Sequence, residues 1–284
     1  MSSNRPQDNS TTRCQGDHLT IGPFHIQTVS GGQYRIDGGT LFGVVPRLLW
    51  ERQFQPDENH RILQETNCML VETAHKRILI DTGYGSKLTQ RFRKHHDITQ
   101  TDPLVTNLAK LDIQPEQIDL VILSHLHFDH AGGGTRLDEN QQLIATFPNA
   151  EYVVQQQEWE TAMANLPELK GAYYKNDFEI LAQTGQLRLV KAEEQILPGI
   201  RVRKTGGHTE GHQVIYIEHE NEGAVFAGDI CATKSHQPFA WCMSYDTNLL
   251  QTRREKTKLL AEIRQENWWL LFDHDPTVFA MKPS

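Results

Sequence analysis

Ser124-His125-Leu126-His127-Phe128-Asp129-His130-Ala131-Gly132-Gly133-Gly134 sets three imidazoles and a carboxylate within six positions. The run directly follows Asp119-Leu-Val-Ile-Leu123, which is short, rich in branched apolar residues and reads as a buried strand. A strand end holds side chains rigidly, and the turn after it can aim several of them at one point. Imidazole nitrogen and carboxylate oxygen are the donors that zinc and similar divalent cations prefer. Alternation along an extended segment puts His125 and His127 on one side, while the turn brings Asp129 and His130 to a neighbouring position. Such an arrangement can serve two ions. A single histidine usually reads as a surface or satisfied core residue, and an aspartate near a turn as a cap. Four ligand-type residues ahead of three glycines do not fit that reading.

The chain has 284 residues, enough for one large α/β domain or two small ones, with a core that needs no staples. Its 28 basic and 36 acidic side chains leave a formal charge of −8, and the basic residues are scattered. Nucleic-acid affinity is therefore not expected, and a polyanionic substrate is disfavoured unless a local basic patch escapes the count. Cys14, Cys68, Cys231 and Cys242 are widely spaced and form no CxxC pair. They read as reduced thiols of a cytoplasmic protein, not as a disulfide framework or a thiolate metal site. Residues 1–18 are polar, lack the apolar core of a secretory signal and read as a flexible tail. No apolar run is long enough for a membrane span. One domain over 19–284 is expected.

Strands are expected at 19–27, 33–37, 65–73, 76–80, 119–123, 151–154, 186–190, 200–204, 213–219, 223–227 and 268–272. A turn at Ser30-Gly31-Gly32 divides the first two. Helices fit 86–96, 102–111, 155–164, 173–183 and 247–266, the last with Asp246 as its cap. The Gly-rich stretch from Asp37 to Trp50 shows little periodicity.

A two-ion centre usually needs about six ligand-type residues, so further donors should also stand at strand ends. His208 follows the strand 200–204, Asp229 the strand 223–227 and His274 the strand 268–272. His212 competes with His208 and reads as a hydrogen-bonding neighbour that orients the ligands. Asp81, in Asp81-Thr-Gly83, is either an ordinary turn carboxylate or an acceptor for a ligand imidazole.

With these residues named, His125-x-His127-x-Asp129-His130 and the later His208, Asp229 and His274 resemble the metallo-β-lactamase superfamily along nearly the whole chain. The resemblance implies an α/β fold of αββα type, two mixed β-sheets flanked by helices with metals at one edge. It implies that His125, His127 and His208 hold one ion, that Asp129, His130 and His274 hold the other, and that Asp229 bridges them. Asp37-Gly-Gly-x-x-Phe-Gly-Val-Val-Pro, Thr205-Gly-Gly-His-x-x-Gly-His and the closing Asp273-His-Asp are similar to the YtnP-like lactonases, regarded as quorum-quenching hydrolases of N-acyl-homoserine lactones. The best-known acyl-homoserine lactonases carry a tyrosine three residues beyond the bridging aspartate. Here that position is Ala232, with Tyr245 or His236 as the substitutes to consider.

The expectation is thus a hydrolase with two divalent ions, zinc foremost and manganese, iron or cobalt also compatible with the donors. Attack by a metal-bound hydroxide would open a lactone or ester carbonyl, with Asp129 handling the proton. Phe42, Trp50, His236, Phe239, Trp241 and Tyr245 are candidates for lining an apolar substrate pocket, against ordinary core packing. The rival readings are an organophosphate or aryl esterase of the methyl parathion hydrolase kind and an iron-bound redox module on the same fold. A homodimer built on the N-terminal loops is implied by the family likeness.

Overall fold

The computed structural model describes residues 18–283. The expected tail lies outside these residues except for His18, which already opens the first strand. Seven strands form one sheet in chain order: His18–Ile21, Phe24–Asp37, Arg61–Glu72, Arg77–Ile80, Leu120–Ile122, Glu151–Gln155 and Leu187–Val190. The first four pair antiparallel and the last four parallel. A second sheet of six follows in chain order: Glu193–Leu197, Ile200–Lys204, Gln213–His219, Glu222–Phe226, Trp269–Leu271 and Ala280–Met281. It is antiparallel except where Glu222–Phe226 meets Trp269–Leu271. The αββα expectation is the architecture observed.

Side-chain alternation explains the layering. Ile78, Ile80, Ile122 and Val153 of the first sheet face Val202, Ile215, Ile217 and Phe226 of the second in one apolar core. Their neighbours Leu79, Val121 and Val154 point the other way, onto Leu104 and Leu108 of the helix Pro103–Ala109 and Leu181 of the helix Glu179–Gln183. On the far side, Val214, Tyr216, Val225 and Leu270 meet Leu259, Leu260 and Ile263 of the helix Leu249–Gln265. These strands are apolar at successive positions because each sheet is covered on both faces. Among the described residues no helix is long and apolar enough to cross a membrane.

Three local expectations are corrected. Ser30-Gly31-Gly32 is no turn: Phe24–Asp37 is one strand whose register against Arg61–Glu72 shifts between Ser30 and Gln33. Gly32 takes a φ of 112° there, so the chain bulges and continues. The stretch after Asp37 is partly helical, as Gly38–Phe42 and Arg47–Trp50, because the Asp37 carboxylate caps the Thr40 N–H at 2.9 Å. The long helix is capped by Asn248, whose side chain accepts from the Gln251 N–H at 3.1 Å. Asp246 is thereby free for other work.

Phe226 is fully buried between the sheets. Phe226→Ala is expected to lower unfolding free energy by about 3–5 kcal/mol. Equilibrium denaturation measures this, and a loss under about 1 kcal/mol would mean that the two sheets do not share this core.

Candidate metal centre

Ligand-type side chains collect where strands of both sheets end. His125 follows Leu120–Ile122, and Phe128–Ala131 is a single helical turn carrying Asp129 and His130. The chain can turn so tightly because the glycines after it lie against the segment that follows Arg77–Ile80. A Cβ on Gly133 would stand 2.1 Å from the Thr82 carbonyl oxygen. Thr82 N–H in turn donates to the His130 carbonyl at 2.7 Å. From the other sheet come His208, Asp229, Asp273 and His274.

Two buried donor groups result, sharing one residue. His125, His127, His208 and Asp229 offer atoms within 4.8 Å of one another, and so do His130, Asp229, Asp273 and His274. Asp229 lies between them, with Oδ2 2.9 Å from His208 Nε2 and Oδ1 3.2 Å from His274 Nε2. Asp129 Oδ2 sits 3.5 Å from His274 Nε2 and 3.9 Å from His130 Nε2, on the edge of the second group.

The outward nitrogens are already spoken for. His125 Nδ1 meets Ser124 Oγ at 3.0 Å, and His130 Nδ1 meets Asp81 Oδ2 at 2.8 Å. His208 Nδ1 meets Asp246 Oδ1 at 2.8 Å, and His274 Nδ1 meets the Glu65 carbonyl at 2.7 Å. Each of these imidazoles therefore turns its Nε2 inward. Nε2 of His125, His130 and His274, Oδ1 of Asp229 and both oxygens of Asp273 have no hydrogen-bond partner despite full burial. An unpaired buried polar atom is costly, and here several converge. Nitrogen and oxygen donors oriented from behind in this way fit divalent cations such as zinc.

The electrostatics agree. Burial disfavours a charge on His208, yet the Asp229 and Asp246 carboxylates outweigh it and push the imidazole up to about 10. Burial also opposes charge on His130, but Asp129, Asp229 and Asp81 raise it to about 9. His127 is held down to about 3 by burial and by His208. Asp273 is held well above the carboxylate range, by burial first and the Asp229 charge beside it. Protons thus stand in for positive charge, and a bound cation would displace them.

Several side chains support the donors. His212 keeps away from the cluster: its Nδ1 meets Thr205 Oγ1 at 2.8 Å, and its Nε2 accepts from the Asp229 backbone N–H at 3.1 Å. Asp81, at a left-handed φ of 58°, also accepts from the Ser124 N–H and Oγ, both at 2.7 Å. Asp81 thus meets the His130 imidazole and at the same time holds the Ser124 backbone and hydroxyl.

Sequence reasoning missed four residues. Asp246 supports His208, and Asp273 joins the second donor group. Tyr34 donates its hydroxyl to Asp129 Oδ2 at 2.6 Å. Glu158, fully buried, accepts from Leu126 N–H at 3.0 Å, Tyr173 Oη at 2.9 Å, Thr209 Oγ1 at 2.6 Å and Gly211 N–H at 3.1 Å. It ties the segment carrying His125 and His127 to the one carrying His208. Only Asp273 left a signal, standing beside His274 at a strand end.

A cleft of about 330 Å³ opens over Asp129, His127 and Asp229, walled by Tyr34, Ile36, Phe92, Phe128, Leu169 and Tyr245. Of the six candidate pocket residues, Tyr245 alone lines it. Phe42, Trp50, Trp241 and His236 instead pack on one another, with Phe42 5.8, 5.3 and 5.1 Å from the other three ring centroids. They close an apolar core beside the helix Gly38–Phe42, also covering the fully buried Ala232. His236 is satisfied there by Thr233 Oγ1 at 2.8 Å and the Leu41 carbonyl at 3.3 Å. Phe239 is 58% exposed and lies beneath the Arg253 guanidinium.

Comparison with known proteins follows the same lines. The metallo-beta-lactamase superfamily model matches residues 62–264. An N-acyl homoserine lactonase of Bacillus cereus is 28% identical over 223 residues, 73% of this chain and 80% of that protein. The crystal structure of a probable metal-dependent hydrolase from Staphylococcus aureus superposes with a TM-score of 0.87 at 34% identity, covering 92% of this chain and 93% of that one. AidC, a dizinc quorum-quenching lactonase solved with a product, shares the fold at a TM-score of 0.76 and 20% identity, covering 93% and 91%.

Two outcomes are expected. Because His130 and His208 hold protons at neutral pH, cation uptake should release them, and affinity should rise from pH 6 to 8. Calorimetry in buffers of different ionisation enthalpy reads the protons, and uptake without proton release would contradict the charge assignment. Glu158→Gln sets an amide against the N–H and O–H donors, and should cost about 1–3 kcal/mol in chemical denaturation.

Proposed function

The chain belongs to the metallo-β-lactamase superfamily and is a metal-dependent hydrolase; from that premise we propose that it opens lactone rings, N-acyl-homoserine lactones above all. One observation carries the reading: two buried donor groups share Asp229 at the floor of a cleft whose walls are mostly apolar and aromatic. The charged floor suits a reacting ester carbonyl and the walls suit an acyl chain.

In this reading His125, His127 and His208 hold one cation, and His130 and His274 with Asp129 hold the other. Asp229 is common to both, and Asp273 stands ready as a further donor to the second. Zinc is the metal we favour for these nitrogen and oxygen donors. When bound, the pair of cations would supply Lewis acidity toward the carbonyl and bring the pKa of a water toward neutrality.

The protein's own groups do the rest. Without cations, burial raises the Asp129 carboxyl but the charges of His130 and His274 outweigh it and hold it below its usual range; cations held by those imidazoles would keep it ionised in their place. Asp129 accepts the proton of the attacking water and returns it to the departing alkoxide. The Tyr34 hydroxyl, bound to Asp129 Oδ2, fixes which oxygen does so. Tyr245 borders the cleft with its ring 5.6 Å from that of His208. Burial and the carboxylates of Asp229 and Asp129 hold its phenol well above the usual range. It remains a proton donor, suited to the carbonyl oxygen as that atom gains charge. Tyr245 thus takes the role that Ala232 cannot fill, whereas His236, turned into the core, does not.

The test is turnover of a panel of N-acyl-homoserine lactones, aryl esters and phosphotriesters by the metal-loaded protein. Lactone opening should exceed the other two reactions and should vanish in His125→Ala and after chelation. Tyr245→Phe should lower kcat roughly 10²-fold with little change in KM. Lactone turnover that survives metal removal, or a phosphotriester rate above the lactone rate, would overturn the reading.

A further inference from the structure

The cleft over Asp129 does not end at its aromatic wall. A broader outer cleft of about 1110 Å³ adjoins it, bordered like the inner one by Ile36, Phe92, His96 and Gly171. The two differ in chemistry. The inner space is mostly apolar, with the Glu168 carboxylate on its rim. The outer one carries Arg35, Arg61, Arg91 and Lys94. In a chain whose formal charge is −8, four permanent cations around one depression are a local reversal of sign.

The nearby carboxylates do not neutralise all of this charge. Asp97 is engaged by Arg35 at 3.2 Å and Asp57 by Arg61 at 2.9 Å. Asp37, which also borders the outer cleft, accepts from Thr40 N–H and Oγ1. Arg91 and Lys94, exposed on the helix Gln90–His95, make no side-chain ion pair or hydrogen bond among the described residues. The same short helix supplies Phe92 to the shared wall, so these cations stand beside the path out of the inner cleft.

We propose that the outer cleft is a recognition subsite for an anionic end group, a carboxylate or a phosphate ester, carried at the far end of the substrate's acyl portion. The reacting carbonyl lies over Asp129, the methylene chain follows the aromatic wall, and the anion is met by Arg91 and Lys94. The proposal rests on the lactonase reading for the identity of the near end. Glu168 would repel an anion held in the inner cleft, which fixes the direction in which such a substrate lies.

The experiment compares homoserine lactones whose acyl chains end in carboxylate, phosphate or neutral carboxamide, using the metal-loaded wild type and Arg91→Gln/Lys94→Gln. Wild type should favour an anionic end by about tenfold in kcat/KM at low ionic strength, and added salt should erode the preference. The double variant should lose the preference while its carboxamide rate stays within about twofold. The carboxylate and phosphate arms identify which anion is preferred. Equal rates for charged and neutral ends, or a preference untouched by the double substitution, would overturn the proposal. If no lactone is opened at all, calorimetric binding of alkanedioates against their monoamides decides the matter. Tighter dioate binding that depends on Arg91 and Lys94 would uphold the subsite and reject only the lactonase reading, whereas equal binding would reject the subsite as well.

Discussion

Everything in this molecule is organised around the Asp229 carboxylate, caught between two sets of imidazoles deep in the protein. Its Oδ2 faces His208 and its Oδ1 faces His274, and the backbone N–H of the same residue is held by His212. A buried charge of this kind is tolerated only where opposite charge surrounds it. The protonated His208 and His130 provide that charge, and divalent cations in place of those protons would supply more of it. The constraint reaches outward, because His208, His130, His125 and His274 each turn Nε2 inward against an outward partner: Asp246, Asp81, Ser124 and the Glu65 carbonyl.

The fold exists, functionally, to bring those partners together. No single sheet could do so. His125 to His130 come from the first sheet's edge, and His208, Asp229, Asp273 and His274 from the second. The apolar core between Ile78, Ile80, Ile215 and Phe226 sets the spacing of the two sheets and therefore of the donors. Glu158 then ties the loops directly with four hydrogen bonds. Packing far from the centre and a buried carboxylate outside the cleft lining thus share the task of holding the donors in register.

The layering was legible from residues such as Leu120-Val121-Ile122, apolar on both faces, and the donors from their grouping at strand ends. What stayed hidden has physical causes. Tyr34 reaches Asp129 only because the Gly31-Gly32 bulge re-aims the strand, and a bulge looks like a turn in sequence. Asp246 precedes a helix closely enough to read as its cap, but Asn248 has that place and Asp246 serves His208. Glu158 sits in a polar helical stretch where a carboxylate ordinarily reads as solvated. The aromatic residues near Gly38 and Asp229 went astray for a different reason: Phe42, Trp50 and Trp241 form a core cluster whose composition is that of a pocket wall.

Anomalous scattering from crystals grown with zinc would show whether two cations share Asp229. Two anomalous peaks per chain are expected, one on each side of the Asp229 carboxylate, the first against His125, His127 and His208 and the second against His130 and His274. A single peak, or two peaks of which neither touches Asp229, would contradict that sharing.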